Sequence, residues 1–219
     1  MKAMLLAAGR GERLRPLTDS TPKPLIAVGA HRLIEYNIFK LKQAGVTDIV
    51  INVCYLAQQI VRYLGNGSRY GVNIEYSFEG DDLLDTGGGI QRALTLLGEK
   101  PFWLVSADIW SDYSFQSLEL SGEIHAHLIM VENPSYHPRG DFGILADGKL
   151  TLESPRHTYG NIAVLKPELF YNCESAKFPL SLILKRGITN GSISGELYSG
   201  KWFNIGTLEE LSLLQKSLL

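Results

Sequence analysis

Two hydrophobic periods alternate along the first half of the chain. Ala3 to Ala8 is a short unbroken apolar run, as expected of a buried strand. Leu33, Ile34, Ile38 and Leu41 then recur at helical spacing and stop before Gly45, which predicts an amphipathic helix closed by a glycine. Asp48 to Val53 reads as a second strand, and Leu56, Ile60 and Leu64 mark a second helix ending near Gly65. Asn73 to Phe78 is a third strand, Ile90, Ala93, Leu94 and Leu97 a third helix, and Phe102 to Val105 a fourth, buried strand. Strands joined by crossover helices in this rhythm predict an α/β layered fold, Rossmann-like, with a mostly parallel central sheet.

The texture changes after Asp108. Ala126 to Val131, Phe142 to Leu145, Leu150 to Leu152 and Asn161 to Leu165 are predicted as shorter strands, and Asp147-Gly148 and Asn190-Gly191 as hairpins or tight connections. Leu208 to Leu219 closes the chain as an amphipathic helix. No repeat, linker or low-complexity tract divides the sequence, so residues 1–219 are expected to form a single domain. The change of texture divides it into halves of about 1–110 and about 111–219.

Composition narrows the partners. At 219 residues and 45% hydrophobic the chain can bury a sizeable core. Its 21 basic and 23 acidic residues leave a formal charge of -2, so no global field marks a nucleic-acid or membrane binder, and any anion site must be local. Cys54 and Cys173 have no metal-ligand spacing and are expected to be reduced thiols. The absence of a signal-peptide layout or a membrane-length apolar stretch leads us to expect a cytoplasmic protein. Oligomeric state is not legible.

The chemistry begins where the first strand ends. Ala7, Ala8, Gly9 and Gly11 are small enough for a ligand to approach the backbone, and successive N–H groups in such a loop can cradle phosphate oxygens. Arg10, Arg13, Arg15 and Lys23 outnumber Glu12 and Asp19 between Gly9 and Lys23. Gly9-x-Gly11-x-x-Leu14 lacks the third glycine of the dinucleotide fingerprint, and no phosphate-binding P-loop run is present. Lys23 lies between Pro22 and Pro24, which fix the local backbone and hold the lysine in place. Further on, Asp85-Thr86-Gly87-Gly88-Gly89 precedes a helix, where amides point outward, and Asp108 falls at the carboxyl end of a strand, where open α/β sheets bind ligands. Asp112 is near enough in sequence to reinforce Asp108 or to serve as a cap.

The run Leu6 to Thr18 followed by Thr21 to Leu25 resembles the signature of the sugar nucleotidyltransferase family, and the likeness continues to the C-terminus. It is greatest to the muramate-specific uridylyltransferase branch, with the hexose and heptose 1-phosphate guanylyltransferases next. The resemblance implies a GT-A-like fold and an enzyme that joins an NTP to a sugar 1-phosphate, releasing pyrophosphate, with Mg2+ as cofactor and small-molecule substrates as partners. It implies that Leu6, Ala8, Gly9 and Gly11 line the nucleotide, that Arg13 holds the departing pyrophosphate and that Lys23 bridges the reacting phosphates. Thr86, Gly87 and Gly88 would approach the base. Glu79 stands where many relatives carry a base-reading glutamine, and as an acceptor it suits the imide N–H of uracil or the N1–H and amino group of guanine. Asp108 resembles the magnesium-binding aspartate.

Two positions depart from the family pattern. Asn204, in Trp202-Phe203-Asn204-Ile205-Gly206-Thr207, replaces a second metal-binding aspartate, supplying an oxygen without the charge. Ser154 stands where some relatives carry a lysine that contacts the sugar phosphate. Glu153 and Asn161, the latter expected at the head of a strand, are the candidate sugar contacts. The alternatives are a binding protein that has lost efficient chemistry with that aspartate and, more remotely, a nicotinamide oxidoreductase.

Overall fold

A computed structural model of the chain describes residues 1–80, 83–116, 118–171, 173 and 176–218. In chain order its first half contains β1 (Lys2–Leu6), α1 (Leu17–Ser20), the β2 (Ala27–Val28) and β3 (His31–Arg32) hairpin, α2 (Leu33–Gln43) and β4 (Asp48–Val53). It continues through α3 (Ala57–Leu64), β5 (Asn73–Phe78), α4 (Asp85–Leu97), β6 (Phe102–Ser106) and β7 (Ile109–Ser111). The second half contains β8 (Ala126–Val131), β9 (Gly143–Ile144), β10 (Leu150–Thr151), β11 (Thr158–Leu165), α5 (Leu180–Thr189), β12 (Ile193–Tyr198), β13 (Trp202–Asn204) and α6 (Leu208–Ser217).

One seven-stranded sheet of order β12-β8-β11-β6-β1-β4-β5 runs through the whole molecule. β11 is antiparallel to both its neighbours, and every other pair is parallel. The mostly parallel sheet and the single domain expected from sequence are therefore present. β1 is central, with strands on both sides and helices over both faces, so Ala3, Met4 and Leu5 are fully buried and its apolar run does not alternate. α2 and α3 lay Ile34, Ile38, Leu41 and Ile60 on one face of the sheet. α4 and α5 lay Ile90, Leu97, Ile183 and Leu184 on the other. A third, smaller core joins the ends of the chain, with Leu211 and Leu214 of α6 packed on Leu14, Val28, Leu33 and Ile205.

Several boundaries differ from the sequence-based expectation. β1 stops at Leu6, because Ala7 and Ala8 have already left the ladder for the loop. β11 begins at Thr158, three residues before the expected start, so Asn161 lies inside the strand, at a register shift between Tyr159 and Ala163, with φ 55°. Asparagine tolerates that left-handed conformation, and a bulge is where a strand uses it. α5 and β12 were not anticipated; the apolar spacing of α5 is interrupted by Gly187, whose missing side chain admits Ile193. Asp147-Gly148 turns the β9-β10 hairpin and Asn190-Gly191 tightly joins α5 to β12. The closing helix is present as α6, with Leu219 outside the described residues.

Candidate active site

The loop leaving β1 is shaped by three residues. Gly11 adopts φ 64°, and its carbonyl accepts from Leu14 N–H at 2.9 Å and from the Thr18 hydroxyl at 2.9 Å, closing a single 3-10 turn over Glu12–Leu14. Leu14 is fully buried in the third core and anchors that turn. A Cβ on Gly11 would lie 3.0 Å from Thr18 and 3.1 Å from the Lys23 Cβ, so glycine is required where the loop crosses the lysine. A Cβ on Gly9 would meet nothing within 4 Å.

Lys23 is only 9% exposed. Pro22 and Pro24 flank it in a short 3-10 turn, closed by Leu25 N–H to Pro22 O at 2.8 Å, and this fixes where its side chain begins. Its Nζ lies 2.5 Å from Asp108 Oδ2. Asp108 reaches that point because Ala107 N–H donates to Leu6 O, extending the β1-β6 ladder past the end of β6. The cation held by the loop and the carboxylate at the strand end are thus neighbours at the carboxyl edge of the sheet.

β7 then pairs antiparallel with β13, setting Asn204 opposite Ile109, and Asp108 O accepts from Ile205 N–H at 3.0 Å. Asn204 is therefore next to Asp108 in the ladder, although it lines a neighbouring cavity of 620 Å³ together with Tyr136 and Trp202. Gly206 supports the Arg13 guanidinium, because a Cβ there would be 2.7 Å from its Nη2. Glu210 fixes Gly206 by accepting from the N–H groups of Gly206 at 2.6 Å and Thr207 at 2.8 Å, as part of the capping box that opens α6.

These elements bound a cleft of 680 Å³. Of the residues expected from sequence, Leu6, Ala8, Gly9, Gly11, Arg13 and Lys23 line it, as do Glu79, Thr86 and Asp108. Gly87 and Gly88 are buried behind this wall, and both their N–H groups donate to Phe178 O, at 2.9 and 3.2 Å. Glu153 is exposed and Asn161 half-buried, and neither lines the cleft. Asp112 accepts from the Tyr198 hydroxyl, a structural role on the far side of β7 from the Asp108 turn.

Asn52 and Lys177 line the cleft but were not anticipated from sequence. The Asn52 amide is 3% exposed; its Oδ1 accepts from Ala7 N–H at 2.9 Å and its Nδ2 donates to Glu79 Oε1 at 2.6 Å. Glu79 Oε2 accepts from Leu84 N–H at 3.0 Å, so one polar chain links the loop after β1 to the wall ahead of α4. Its signal in the sequence was a lone amide in the apolar run Ile49–Val53.

Among the described residues no three His, Cys, Asp or Glu side chains cluster. The protein thus offers the Asp108 carboxylate at the cleft, while Asn204 is adjacent in the backbone ladder and lines the neighbouring cavity. That set fits a hard divalent cation such as Mg2+, which ordinarily takes one or two carboxylates and completes its shell with waters and substrate phosphates.

The cleft opens at the carboxyl ends of parallel strands and combines backbone amides with fixed cations and one carboxylate, an arrangement suited to phosphate chemistry. Residues 2–152 match the family described as Nucleotidyl transferase. The chain is 43% identical to the N-acetylmuramate alpha-1-phosphate uridylyltransferase of Neisseria meningitidis serogroup B, over 98% of this chain and 97% of the relative. It is 31% identical to the protein of the same name from Caulobacter vibrioides, over 93% and 91%. Its fold matches a putative glucose-1-phosphate thymidylyltransferase from Bacillus anthracis with a TM-score of 0.82 at 20% identity, covering 99% and 94% of the two chains. The protein belongs to the nucleotidyl transferase family.

Proposed function

We propose that the protein transfers a uridylyl group from UTP to N-acetylmuramate 1-phosphate, forming UDP-N-acetylmuramate and pyrophosphate. The observation that carries this reading is the cleft at the end of β1, where an open glycine loop, Arg13, Lys23 and Asp108 converge. The choice of nucleotide and sugar rests on likeness to the two uridylyltransferases.

An oxygen of the sugar 1-phosphate attacks the α-phosphorus of UTP in line. The α-phosphorus to bridging-oxygen bond breaks, and pyrophosphate leaves with the electron pair. The attacking phosphate is already ionised at neutral pH, so no protein nucleophile is needed; alignment and charge neutralisation supply the catalysis. Leu6, Ala8, Gly9 and Gly11 bring their backbone to the nucleotide, Lys23 spans the reacting phosphates and Arg13, braced on Gly206, receives the pyrophosphate. Glu79 accepts from the uracil imide, with Thr86 beside the base and Gly87 and Gly88 shaping the wall behind it. Mg2+ bound by Asp108, with Asn204 near, would neutralise charge on the transferring phosphates. Residues up to about 110 carry the nucleotide half and later residues most of the sugar half. No sugar contact is assigned to Glu153 or Asn161.

Pyrophosphate release from each of UTP, GTP, dTTP, ATP and CTP with N-acetylmuramate, mannose and heptose 1-phosphates tests the reading. The expected result is the highest kcat/KM for UTP with N-acetylmuramate 1-phosphate. A higher value for GTP with mannose or heptose 1-phosphate would make the protein a guanylyltransferase, and no release from any pair would make it a binding protein.

A further inference from the structure

The cleft residues Leu6, Asn52 and Glu79 come from β1, β4 and the residue after β5, all on one side of β6. On the other side of β6 the sheet continues through β11 to β8. β11 is antiparallel to both, so its amino end shares the edge at which β8 ends and β6 delivers Asp108. Two connections meet there, residues 132–142 leaving β8 and residues 152–157 leading into β11.

These connections are fastened to each other. Asn133 Nδ2 donates to Arg156 O at 2.9 Å and to Pro138 O at 3.3 Å, while its Oδ1 accepts from the Thr158 hydroxyl at 2.9 Å. Asp141 N–H donates to His157 O and His157 N–H to Phe142 O, each at 2.8 Å. Gly140, at φ 59°, passes so near that a Cβ on it would lie 2.9 Å from Arg156 O. The crossing sets Arg139, the residue before that glycine, beside Arg156, and both arginines are exposed. Arg156 donates from Nη2 to Leu152 O, which holds its guanidinium over its own connection. Asp141 has other engagements: its Oδ1 lies 3.1 Å from His137 Nε2, and its Oδ2 accepts from Tyr159 N–H at 2.8 Å. Glu132 and Glu153 are the remaining acids of the two connections, and among the described residues neither arginine is ion-paired. Two guanidinium groups on a braced backbone with no acid paired to them form a locus for an anion, and their forked donors suit a carboxylate. β6 and β8 are two strand spacings apart, about 10 Å. A sugar with its phosphate at Asp108 and its ring over β11 spans that interval with a substituent on the far side of the ring.

We propose that Arg139 and Arg156 bind the carboxylate of an acidic sugar 1-phosphate and so select it over sugars without that charge. This rests on the transfer to N-acetylmuramate 1-phosphate proposed above, whose lactyl ether carries a carboxylate. The test compares wild type, Arg139→Gln, Arg156→Gln and the double variant with UTP and either N-acetylmuramate 1-phosphate or its lactyl methyl ester, which keeps the shape and loses the charge. In the double variant the ratio of kcat/KM for the acid over the ester is expected to fall about tenfold or more, the scale of one charge-assisted hydrogen bond. The fall is expected in the KM of the acid, with part of it in each single variant. Because both groups are exposed, the wild-type ratio is also expected to decline with added salt more steeply than that of the double variant. An unchanged ratio in the double variant, an equal loss with acid and ester, a rise in the KM for UTP instead, or a loss carried wholly by one arginine would each overturn the assignment. Any of these with wild-type turnover of N-acetylmuramate 1-phosphate overturns the arginine pair alone, whereas no wild-type turnover of that sugar overturns both proposals.

Discussion

The ammonium of Lys23 and the carboxylate of Asp108 meet at 2.5 Å across 85 residues of sequence. Their side chains are 11% and 30% exposed, so each screens the other in a partly dry environment. Removing either leaves an uncompensated charge, and the cost appears in both catalysis and stability. Lys23→Met and Asp108→Asn are each expected to lower kcat by about a hundredfold or more, the scale of one preorganised charge. Each is also expected to lower the Tm, with the double variant losing less stability than the sum of the singles. Arg13→Ala, at an exposed position, should lose turnover with little change in Tm. Pyrophosphate release and thermal melting decide, and wild-type kcat in folded Lys23→Met would remove the lysine from the mechanism.

Asn204 sits one ladder position from Asp108 and supplies an amide where a carboxylate would add charge. Asn204→Asp is expected to raise turnover or to lower the magnesium concentration for half-maximal rate. Rate against magnesium for both proteins is the measurement. Superimposable curves from a folded variant would show that the position does not serve the metal.

Asn52 is a positioning residue, joining Ala7 to Glu79 by donating to one and accepting from the other. Asn52→Asp would replace a donor with a carboxylate facing Glu79 and break that link. UTP binding is expected to weaken about tenfold or more, and the Tm to fall, because a buried like-charge contact replaces a hydrogen bond. Titration calorimetry reads the first effect and melting the second. UTP affinity unchanged in a folded variant would confine Asn52 to a structural role.

His127 predicts a pH dependence of stability. Burial pushes its pKa below the usual histidine value of 6.5, against the opposing pull of Glu196, whose Oε2 lies 3.8 Å from His127 Nε2. On its other side Nδ1 is 2.9 Å from the Ser194 hydroxyl, and Tyr113 donates to Glu196 at 3.0 Å. The folded protein therefore resists a proton that the unfolded chain accepts, and stability rises with pH across that interval. The stabilisation is full above pH 6.5 and is lost as the pH falls from there through the depressed folded-state value. Tm measured from about pH 7 to about pH 5 should decline more steeply for wild type than for His127→Gln. Parallel profiles would contradict this.

Much of the first half of the chain was legible in the sequence because its determinants are local. β4 and β5 begin and end where the apolar pattern said they would, and the glycine loop, Lys23 between its prolines and Asp108 at a strand end could all be named from neighbouring residues. The second half was not legible to the same degree. Glu153 and Asn161 were chosen by position along the chain, but the fold leaves the first exposed and puts the second at a bulge inside β11. Asn52 and Lys177 reach the cleft only through pairings of residues far apart in sequence, Asn52 with Ala7 and Glu79, and Phe178 with the first turn of α4. By itself the sequence determined the alternation of strands and helices and the composition of the glycine loop after β1, since period, proline and glycine act within a few residues. The tertiary structure alone decided that Lys23 faces Asp108, that Asn204 lies beside it and that Gly87 and Gly88 serve packing, because parallel sheet order and helix docking are set by burial across the whole chain.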